Sequence, residues 1–405
     1  MTTGAADHYC EGAARLRPGS GFFRAESRPA RDLGVLLLAD LVAARREAAA
    51  IAGTSEQAAE PLAVLDAMAG CGIRALRFGL EVMPAGSVLW VNDADPDRLP
   101  LLQANLAPLA ASGPGPQITA QTAQQLLAAA VVERRRFDLV DLDAFGCPSD
   151  LVPLALEAVR VGGLLYVAST DGRSPTGHDR RGALRQLGAA ARAHPASWEL
   201  ALRLQLGVIA RAAWAQGRGI QPVLSFSEGR TFRTAVRLQA RPAAAGLQQL
   251  GLLAHCHGCG DQQVQPLLQL GRWTRCRCPG EEPPLAISGP LWIGPLQDPA
   301  VLARLLQRAE QPPEAVAGPW LGQPGRRLLQ RLVADAADLP RCWPTGAIAR
   351  CLGGGPPPLM ALVQALRQLG YRAAASGVMP SQVRSDAPWS VILEVASGLV
   401  QAQDC

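Results

Sequence analysis

Asp141-Leu142-Asp143-Ala144-Phe145-Gly146 closes an apolar run and is followed by Cys147-Pro148. An acid, a backbone carbonyl and an aromatic ring in that order suit one kind of chemistry. A carboxylate can accept an N–H bond from an exocyclic amine while the next carbonyl accepts another. The nitrogen lone pair is then turned toward an electrophilic carbon, and the ring can stack on the base that carries the amine. Asp143, the Ala144 carbonyl and Phe145 are the candidates for these roles. Because side chains alternate along a strand, Asp141 is expected to point the other way. A hydride-transfer enzyme has no use for such a step, whereas methylation of a poorly nucleophilic amine does.

A second constellation could hold the methyl donor. Asp66-x-x-x-Gly70-x-Gly72 lies where a strand meets a helix. Glycines there let backbone approach a ligand, and the helix N-terminus offers unpaired N–H groups. Asp93, 21 positions after Gly72, ends the next strand and could accept two ribose hydroxyls. The same turn, Gly70-x-Gly72-x-x-Ala75, also fits a dinucleotide fingerprint, so this motif leaves S-adenosylmethionine and a nicotinamide cofactor both open. A tight turn with no ligand is the bland alternative. Four of the ten cysteines form Cys256-x2-Cys259 and Cys276-x-Cys278. Paired thiolates at short spacing suit tetrahedral zinc, and a four-thiolate site leaves no open position for catalysis. His255 and His257 are substitutes if the Cys-x-Cys half fails. Cys71 and Cys147 flank the presumed site without an expected covalent role.

These residues need a scaffold. Short apolar runs at Ala63–Asp66, Ser87–Val91, Gln117–Ala120, Phe137–Asp143 and Leu164–Ser169 read as strands. Helical segments near Arg74–Glu81, Pro96–Leu109, Thr122–Val132 and Asp150–Arg160 lie between them. Such alternation implies a parallel, doubly wound sheet. A helix at Trp198–Gln216 and strands near Pro222–Phe226 and Phe232–Leu238 would extend it to a seven-stranded mixed sheet. The first thirty residues read as irregular, and a helix is expected from Leu33 to about Glu47. Arg241–Gly246 reads as a linker, dividing residues 1–240 from a second, α+β domain at 241–405. That domain is expected to hold the cysteines, helices near Ala300–Arg308, Arg326–Asp335 and Pro358–Leu369, and a terminal strand near Ser390–Val395.

Composition sets the outer bounds. The chain has 405 residues, of which 48% are hydrophobic and 18% charged, enough for a substantial core and too apolar for a disordered chain. The longest apolar runs are too short to span a bilayer, and no signal-peptide pattern opens the chain. The expectation is a cytoplasmic protein without a membrane partner. All 39 basic residues are arginine, and the net charge of +5 leans mildly toward an anionic partner. Arg134–Arg136, Arg180–Arg181 and Arg326–Arg327 are candidate phosphate contacts, as is Arg173 on the loop after Asp171. Solvated faces are the plainer reading of each cluster.

Taken in order and spacing, the motifs resemble the tRNA (guanine-26-N2)-dimethyltransferase family from about Glu11 to Val395. The matching segments are Arg31-Asp32-Leu33, Asp66 through Arg77, Asn92-Asp93, Asp141 through Pro148, Gly162-Gly163 through Asp171, and Gly289-Pro290-Leu291-Trp292-Ile293-Gly294. The resemblance implies a class I S-adenosylmethionine-dependent methyltransferase of Rossmann-like α/β fold acting on tRNA at guanine 26, with position 27 left open. It implies cofactor contacts at Arg31, Arg74 and Asp93, with Arg74 favoured over Arg77, and Asp143 as the catalytic acceptor; the glycine turn adds Asp66, Gly70 and Gly72 to the cofactor contacts, the position of the family's Gly-Asp-Ala adds Thr122 and Ala123, and Phe145 joins Asp143 as the catalytic pair. Four departures stand out. The family's Asp-Pro is Asp143-Ala144 here. Its Gly-Asp-Ala is Gln121-Thr122-Ala123. Its second Cys-x2-Cys is Cys276-x-Cys278, and its C-terminal His step and Lys-Thr-Asp read Ser376-Gly-Val-Met-Pro and Arg384-Ser-Asp386. Two rivals follow: a nicotinamide-dependent oxidoreductase, and an RNA-binding protein that has lost turnover through Thr122 and Ala144.

Overall fold

The computed structural model describes residues 8–20, 23–51, 61–111, 115–276, 278, 285–335 and 338–402. Two compact units make up the chain. The first is drawn from Met1–Ala168, Ala235–Leu238 and Ala300–Gln330, the second from Ser169–Thr234, Gln239–Pro299 and Arg331–Cys405.

The first unit opens differently from the irregular start expected. β1 (Tyr9–Glu11) and β2 (Ala14–Leu16) pair in antiparallel register, Glu11 opposite Ala14. Helix α1 runs over Arg28–Ile51, longer at both ends than the apolar run suggests. Its start carries Arg31 and Asp32, which the fold buries because other charges meet them. Strands and helices then alternate: β3 (Ala63–Asp66), α2 (Ile73–Glu81), β4 (Val88–Asn92), α3 (Leu99–Ala110), β5 (Gln117–Thr119), α4 (Ala123–Val132), β6 (Phe137–Asp143), α5 (Val152–Ala158) and β7 (Val159–Ser169). β3 pairs parallel with β4 and β6, and β6 with β7. Strands β3 and β6 are almost wholly buried, as interior parallel strands must be. The one charge early in β6, Asp138, sits at 0% exposure and is matched by Arg45 and the Ala63 N–H.

Next come α6 (Arg180–Leu187), α7 (Ser197–Ala215), β8 (Gly219–Glu228) and β9 (Thr231–Gln239), with Gly229 and Arg230 turning between the last two. The large sheet has the order β5-β4-β3-β6-β7-β9-β8, the seven-stranded mixed sheet expected.

In the second unit, α8 (Ala244–Leu247) occupies part of the expected linker. β10 (Leu250–His255), β11 (Gln262–Pro266) and β12 (Ala286–Trp292) form an antiparallel sheet with β10 central. α9 (Pro299–Ala309) and α10 (Gln323–Ala334) belong mainly to the first unit; β13 (Cys342–Pro344), α11 (Thr345–Leu352), α12 (Leu359–Gln368), β14 (Ala373–Ala375), β15 (Gln382–Ser385) and α13 (Trp389–Gln401) follow in the second. The expected terminal strand at Ser390–Val395 is therefore wrong: it lies inside α13. Trp389, Ile392 and Ala396 are its buried residues, a three-and-four spacing that a β-branched run disguises. Stacked Trp343 and Trp389, with centroids 5.3 Å apart, join the core of this last sheet.

Candidate active site

Three strand ends of the first unit stand level. Asp66 lies opposite Asp141 across β3–β6 and opposite Val91 across β3–β4, while Asp143 lies opposite Ala168 of β7. The C-terminal edge of a parallel sheet is where doubly wound folds bind ligands. Asp66, Asn92, Asp93, Asp141 and Asp143 all reach it.

The turn after β3 is built for close approach. Gly70 and Gly72 hold φ of +57° and +81°, the left-handed region that side-chain-bearing residues resist. A Cβ at Gly70 would meet nothing within 4 Å, so that face of the turn is open. The Gly70 N–H donates to Asp93 Oδ2 at 2.9 Å, and the Asp95 N–H to Asp93 Oδ1 at 3.0 Å. Each Asp93 oxygen keeps a lone pair for a hydroxyl ligand. Asn92, fully buried, ties the neighbouring loops together. Its amide donates to the carbonyls of Ala67 and Gln121, and its oxygen accepts from Thr119 and from the Gln121 N–H. Sequence reasoning gave Asn92 no role beyond its motif.

Arg74, in the first turn of α2, forks between two acids. Nη1 donates to Asp141 Oδ2 at 3.0 Å and Nη2 to Asp143 Oδ2 at 2.5 Å. Asp141 therefore shares a face with Asp143, which corrects the expectation that it points away. Alternation has a period of two, so residues two apart must agree. Burial disfavours the Arg74 charge, but Asp141 and Asp143 outweigh it and hold the guanidinium pKa well above its usual value. The Asp143 side chain is 30% exposed, at the rim rather than in the interior. Phe145 is 72% exposed, so it is not core packing.

Asp66 is the outlier. It is 1% exposed, and among the described residues neither carboxylate oxygen has a hydrogen-bond partner. Burial first, then the negative charge of Asp141, push its pKa up to about 8, with Arg74 pulling partly back. A buried acid left open beside a glycine turn fits a ligand that carries hydroxyl or amino donors.

The other predicted residues sit as follows. Thr122 is the N-cap of α4: its hydroxyl accepts the Gln125 N–H, and the Thr122 N–H donates to Gln125 Oε1. One lone pair of that hydroxyl remains, and buried Ala123 follows it. Arg31 is committed elsewhere, donating to Glu11 and to the carbonyls of Arg24 and Ala25. Arg77 is fully buried and bonds Glu11, Asp32, Glu81 and the Trp320 carbonyl. Arg74 and Arg77 are therefore not a surface pair, and they face different partners.

The four cysteines of the second unit do converge. Their sulfurs all lie within 4.8 Å of one another, and among the described residues no other group of three or more potential ligands forms. Ideal tetrahedral zinc would set sulfurs about 3.8 Å apart; the closest pairs here are 2.8 to 3.5 Å. Burial and the Cys276 sulfur push Cys259 up, and the Cys276 sulfur pushes Cys278 up to about 12. Four sulfurs this close cannot all ionise on their own, and a bound cation would displace their protons and hold them as thiolates. His255 and His257 are not part of the group.

Counted within the sheet alone, the strand order is 3-2-1-4-5-7-6. That order, with a glycine turn after the first strand and acids at the ends of the first, second and fourth, defines a class I S-adenosylmethionine-dependent methyltransferase. The family model for N2,N2-dimethylguanosine tRNA methyltransferase matches residues 17–397, and the chain belongs to that family. It is 31% identical over 350 residues to the tRNA (guanine(26)-N(2))-dimethyltransferase of Thermococcus kodakarensis, covering 83% of this chain and 86% of the relative. The Pyrococcus horikoshii enzyme of that name is 30% identical over 351 residues, covering 82% and 86%. A solved complex of Trm1 from Pyrococcus horikoshii with S-adenosyl-L-methionine superposes with a TM-score of 0.78 at 26% identity, over 96% of this chain and 99% of that one.

Proposed function

We propose that the protein is a tRNA guanine-N2 methyltransferase that transfers methyl groups from S-adenosylmethionine to guanine 26. The observation that carries this reading is Asp143: a part-exposed acid at the tip of β6, gripped by Arg74 and followed two residues on by exposed Phe145. S-adenosylmethionine, when bound, supplies a methyl group on a positively charged sulfur. Asp66, Gly70, Gly72 and Asp93 form the cofactor cradle, with Thr122 and Ala123 at its base-binding end and Arg31 and Arg74 near its carboxylate. Support is strongest at the glycine turn, Asp66 and Asp93. Every Arg31 nitrogen already has a partner, so a direct grip by Arg31 requires an exchange of bonds.

Asp143 accepts an N–H bond from the guanine amine and turns its lone pair toward the methyl carbon. As the N–C bond forms, the C–S bond of the donor would break with its electron pair leaving on a neutral thioether, and Asp143 would accept the proton that the nitrogen sheds. Arg74 holds Asp143 in place through the same guanidinium that binds Asp141. Phe145 offers a stacking face to the extruded base. Such a contact contributes about 1–3 kcal/mol, against an extrusion cost of a few kcal/mol. An amine that already carries one methyl still has an N–H for Asp143, so a second transfer follows the same path.

Residues 1–240 would carry cofactor binding and chemistry, and residues 241–405 would grip the tRNA. Cys256, Cys259, Cys276 and Cys278 would hold a structural zinc. A cytoplasmic setting goes with the tRNA substrate, and among the described residues no helix is long and apolar enough to cross a membrane. Radiolabelled methyl donor with unmodified tRNA tests the activity, and incorporation is expected. Binding of tRNA with no incorporation would identify the non-catalytic rival. Titration should show binding of S-adenosylmethionine and none of a nicotinamide dinucleotide. Elemental analysis should find one zinc per chain.

A further inference from the structure

Arginines in this protein are mostly spoken for. In two of the three clusters visible in the sequence most members are paired: Arg135 pairs with Glu133 and lies over Trp90, Arg136 approaches Glu157 at 3.8 Å, and Arg326 pairs with Glu310 at 2.9 Å, with Arg134 and Arg327 beside them. The segment after β7 is different. Residues 172–198 hold five arginines against one aspartate, a net charge of +4 in a chain whose whole net charge is +5. Arg173, Arg180, Arg181 and Arg185 are all exposed, and among the described residues none of their side chains has an ion-pair or hydrogen-bond partner.

The backbone beneath them is firmly built. Asp171 Oδ1 accepts the N–H groups of Arg173 at 2.9 Å and Ser174 at 3.0 Å, and the Thr176 hydroxyl donates to the Gly172 carbonyl at 2.7 Å. Ser174, Pro175, Thr176 and Gly177 are buried, and a Cβ at Gly177 would stand 2.2 Å from the Ala193 nitrogen. Asp179 caps α6 through the Gly182 N–H at 2.8 Å. At the other end Arg211 donates to the Leu187 carbonyl at 2.5 Å. Asp171 and Asp179 are thus both taken up by backbone N–H groups, while Arg173, Arg180, Arg181 and Arg185 are left to solvent. Arg181 and Arg185 stand one turn apart, about 6 Å along the axis. Like charges at that spacing repel, so a fixed scaffold presents them at a small standing cost that an anion would relieve.

We propose that the Asp171–Asp179 loop and the exposed face of α6 form a phosphate-binding surface for the tRNA backbone, with Arg173, Arg180, Arg181 and Arg185 as its contacts. The inference rests on the tRNA reading given above. Chain continuity favours RNA as the occupant. Ala168 pairs with Asp143 in the sheet, and the loop starts three residues later, so this segment leaves the strand beside the one that bears the proposed catalytic acid.

The test compares the parent with the triple variant Arg180→Gln, Arg181→Gln, Arg185→Gln. S-adenosylmethionine affinity and near-UV circular dichroism should match the parent, since among the described residues none of the three side chains has an ion-pair or hydrogen-bond partner. The dissociation constant for unmodified tRNA, read by fluorescence anisotropy, should rise at least ~10-fold at 0.1 M salt, and the slope of its logarithm against log salt should fall by about 2. In turnover the loss should appear in KM far more than in kcat. The triple Arg→Lys variant should restore most of the affinity, because a phosphate contact needs the charge before the fork. If the glutamine variant is poorly folded, Arg185→Glu alone should still weaken tRNA binding several-fold. Unchanged tRNA affinity and slope in a folded triple variant would overturn the proposal and leave the enzymatic reading intact. A parent that neither binds nor methylates tRNA would instead overturn the enzymatic reading. Loss of binding to phosphatidylserine vesicles with no loss toward tRNA would assign the surface to a membrane and also overturn the proposal.

Discussion

Arg74 and Arg77 stand three residues apart on α2, yet they live in opposite kinds of polar cluster. Around Arg77 the charges close on themselves. Its guanidinium meets Glu11, Asp32 and Glu81, Arg31 doubles the contact with Glu11, and Trp320 adds a donor to Glu81 and a carbonyl to Arg77. Arg77 and these three acids are nearly sealed from solvent. Around Arg74 the balance is broken: Asp66, Asp141 and Asp143 face one cation, neither Asp66 oxygen has a hydrogen-bond partner among the described residues, and Asp143 looks outward. A satisfied network fixes geometry and has nothing to offer a ligand. A cluster with surplus acid and an open rim has something left to bind with.

The two clusters should fail differently. Arg77→Met leaves buried Glu81 without a cation among the described residues and takes the nearer one from Asp32, while Glu11 keeps Arg31. We expect a loss of about 3–5 kcal/mol of stability by chemical denaturation, enough to unfold a marginal chain. A loss below ~1 kcal/mol would mean that the closed network is not what holds this corner. Asp66 probes the open cluster through pH. Its folded pKa of about 8 lies above the ordinary value of 3.8. Between those values the native state keeps a proton that the unfolded state has lost, so its contribution is full below pH 4 and falls as pH rises toward 8. Relative to Asp66→Asn, the parent should lose at least ~2 kcal/mol between pH 5 and pH 8 in ligand-free protein. Parallel curves for the two proteins would show that Asp66 is ionised throughout.

Arg74→Lys sharpens the contrast with Arg77. An ammonium cannot fork to two carboxylates, so Asp143 loses its fixed orientation. kcat should fall about 10-fold with a smaller change in thermal stability. A stability loss as large as that of Arg77→Met, with kcat unchanged, would make Arg74 another closed-network residue. The smallest effect should come from Thr122→Ala, outside both clusters, where loss of the capping box costs roughly 1 kcal/mol. Thermal unfolding measures it, and a cofactor affinity that drops several-fold as well would place the Thr122 hydroxyl on the adenine.

What the sequence disclosed follows from distance along the chain. The glycine turn, the acids at the strand ends and the paired cysteines are local patterns, because their geometry is set within a few residues. The Thr122–Gln125 capping box was equally local, though it was passed over for a cofactor role. The closed network was invisible. Arg77 lies 66 positions from Glu11 and 243 from Trp320, and nothing near Arg77 marks either partner. Asp141 and Asp143 lie two apart on one strand and so share a face, a relation already present in the sequence. The final helix was misread because Ser390–Val395 is rich in β-branched and aliphatic residues, and its helical spacing shows only over the longer span to Gln401.

The most direct test follows nucleosides by mass spectrometry in a tRNA transcript with guanine at position 26, treated with the parent or with Asp143→Asn. The account predicts N2-methylguanosine and then N2,N2-dimethylguanosine at that position with the parent. For the variant it predicts a rate at least ~100-fold lower, with S-adenosylmethionine still bound. Dimethylguanosine formed by Asp143→Asn at the parental rate would contradict it.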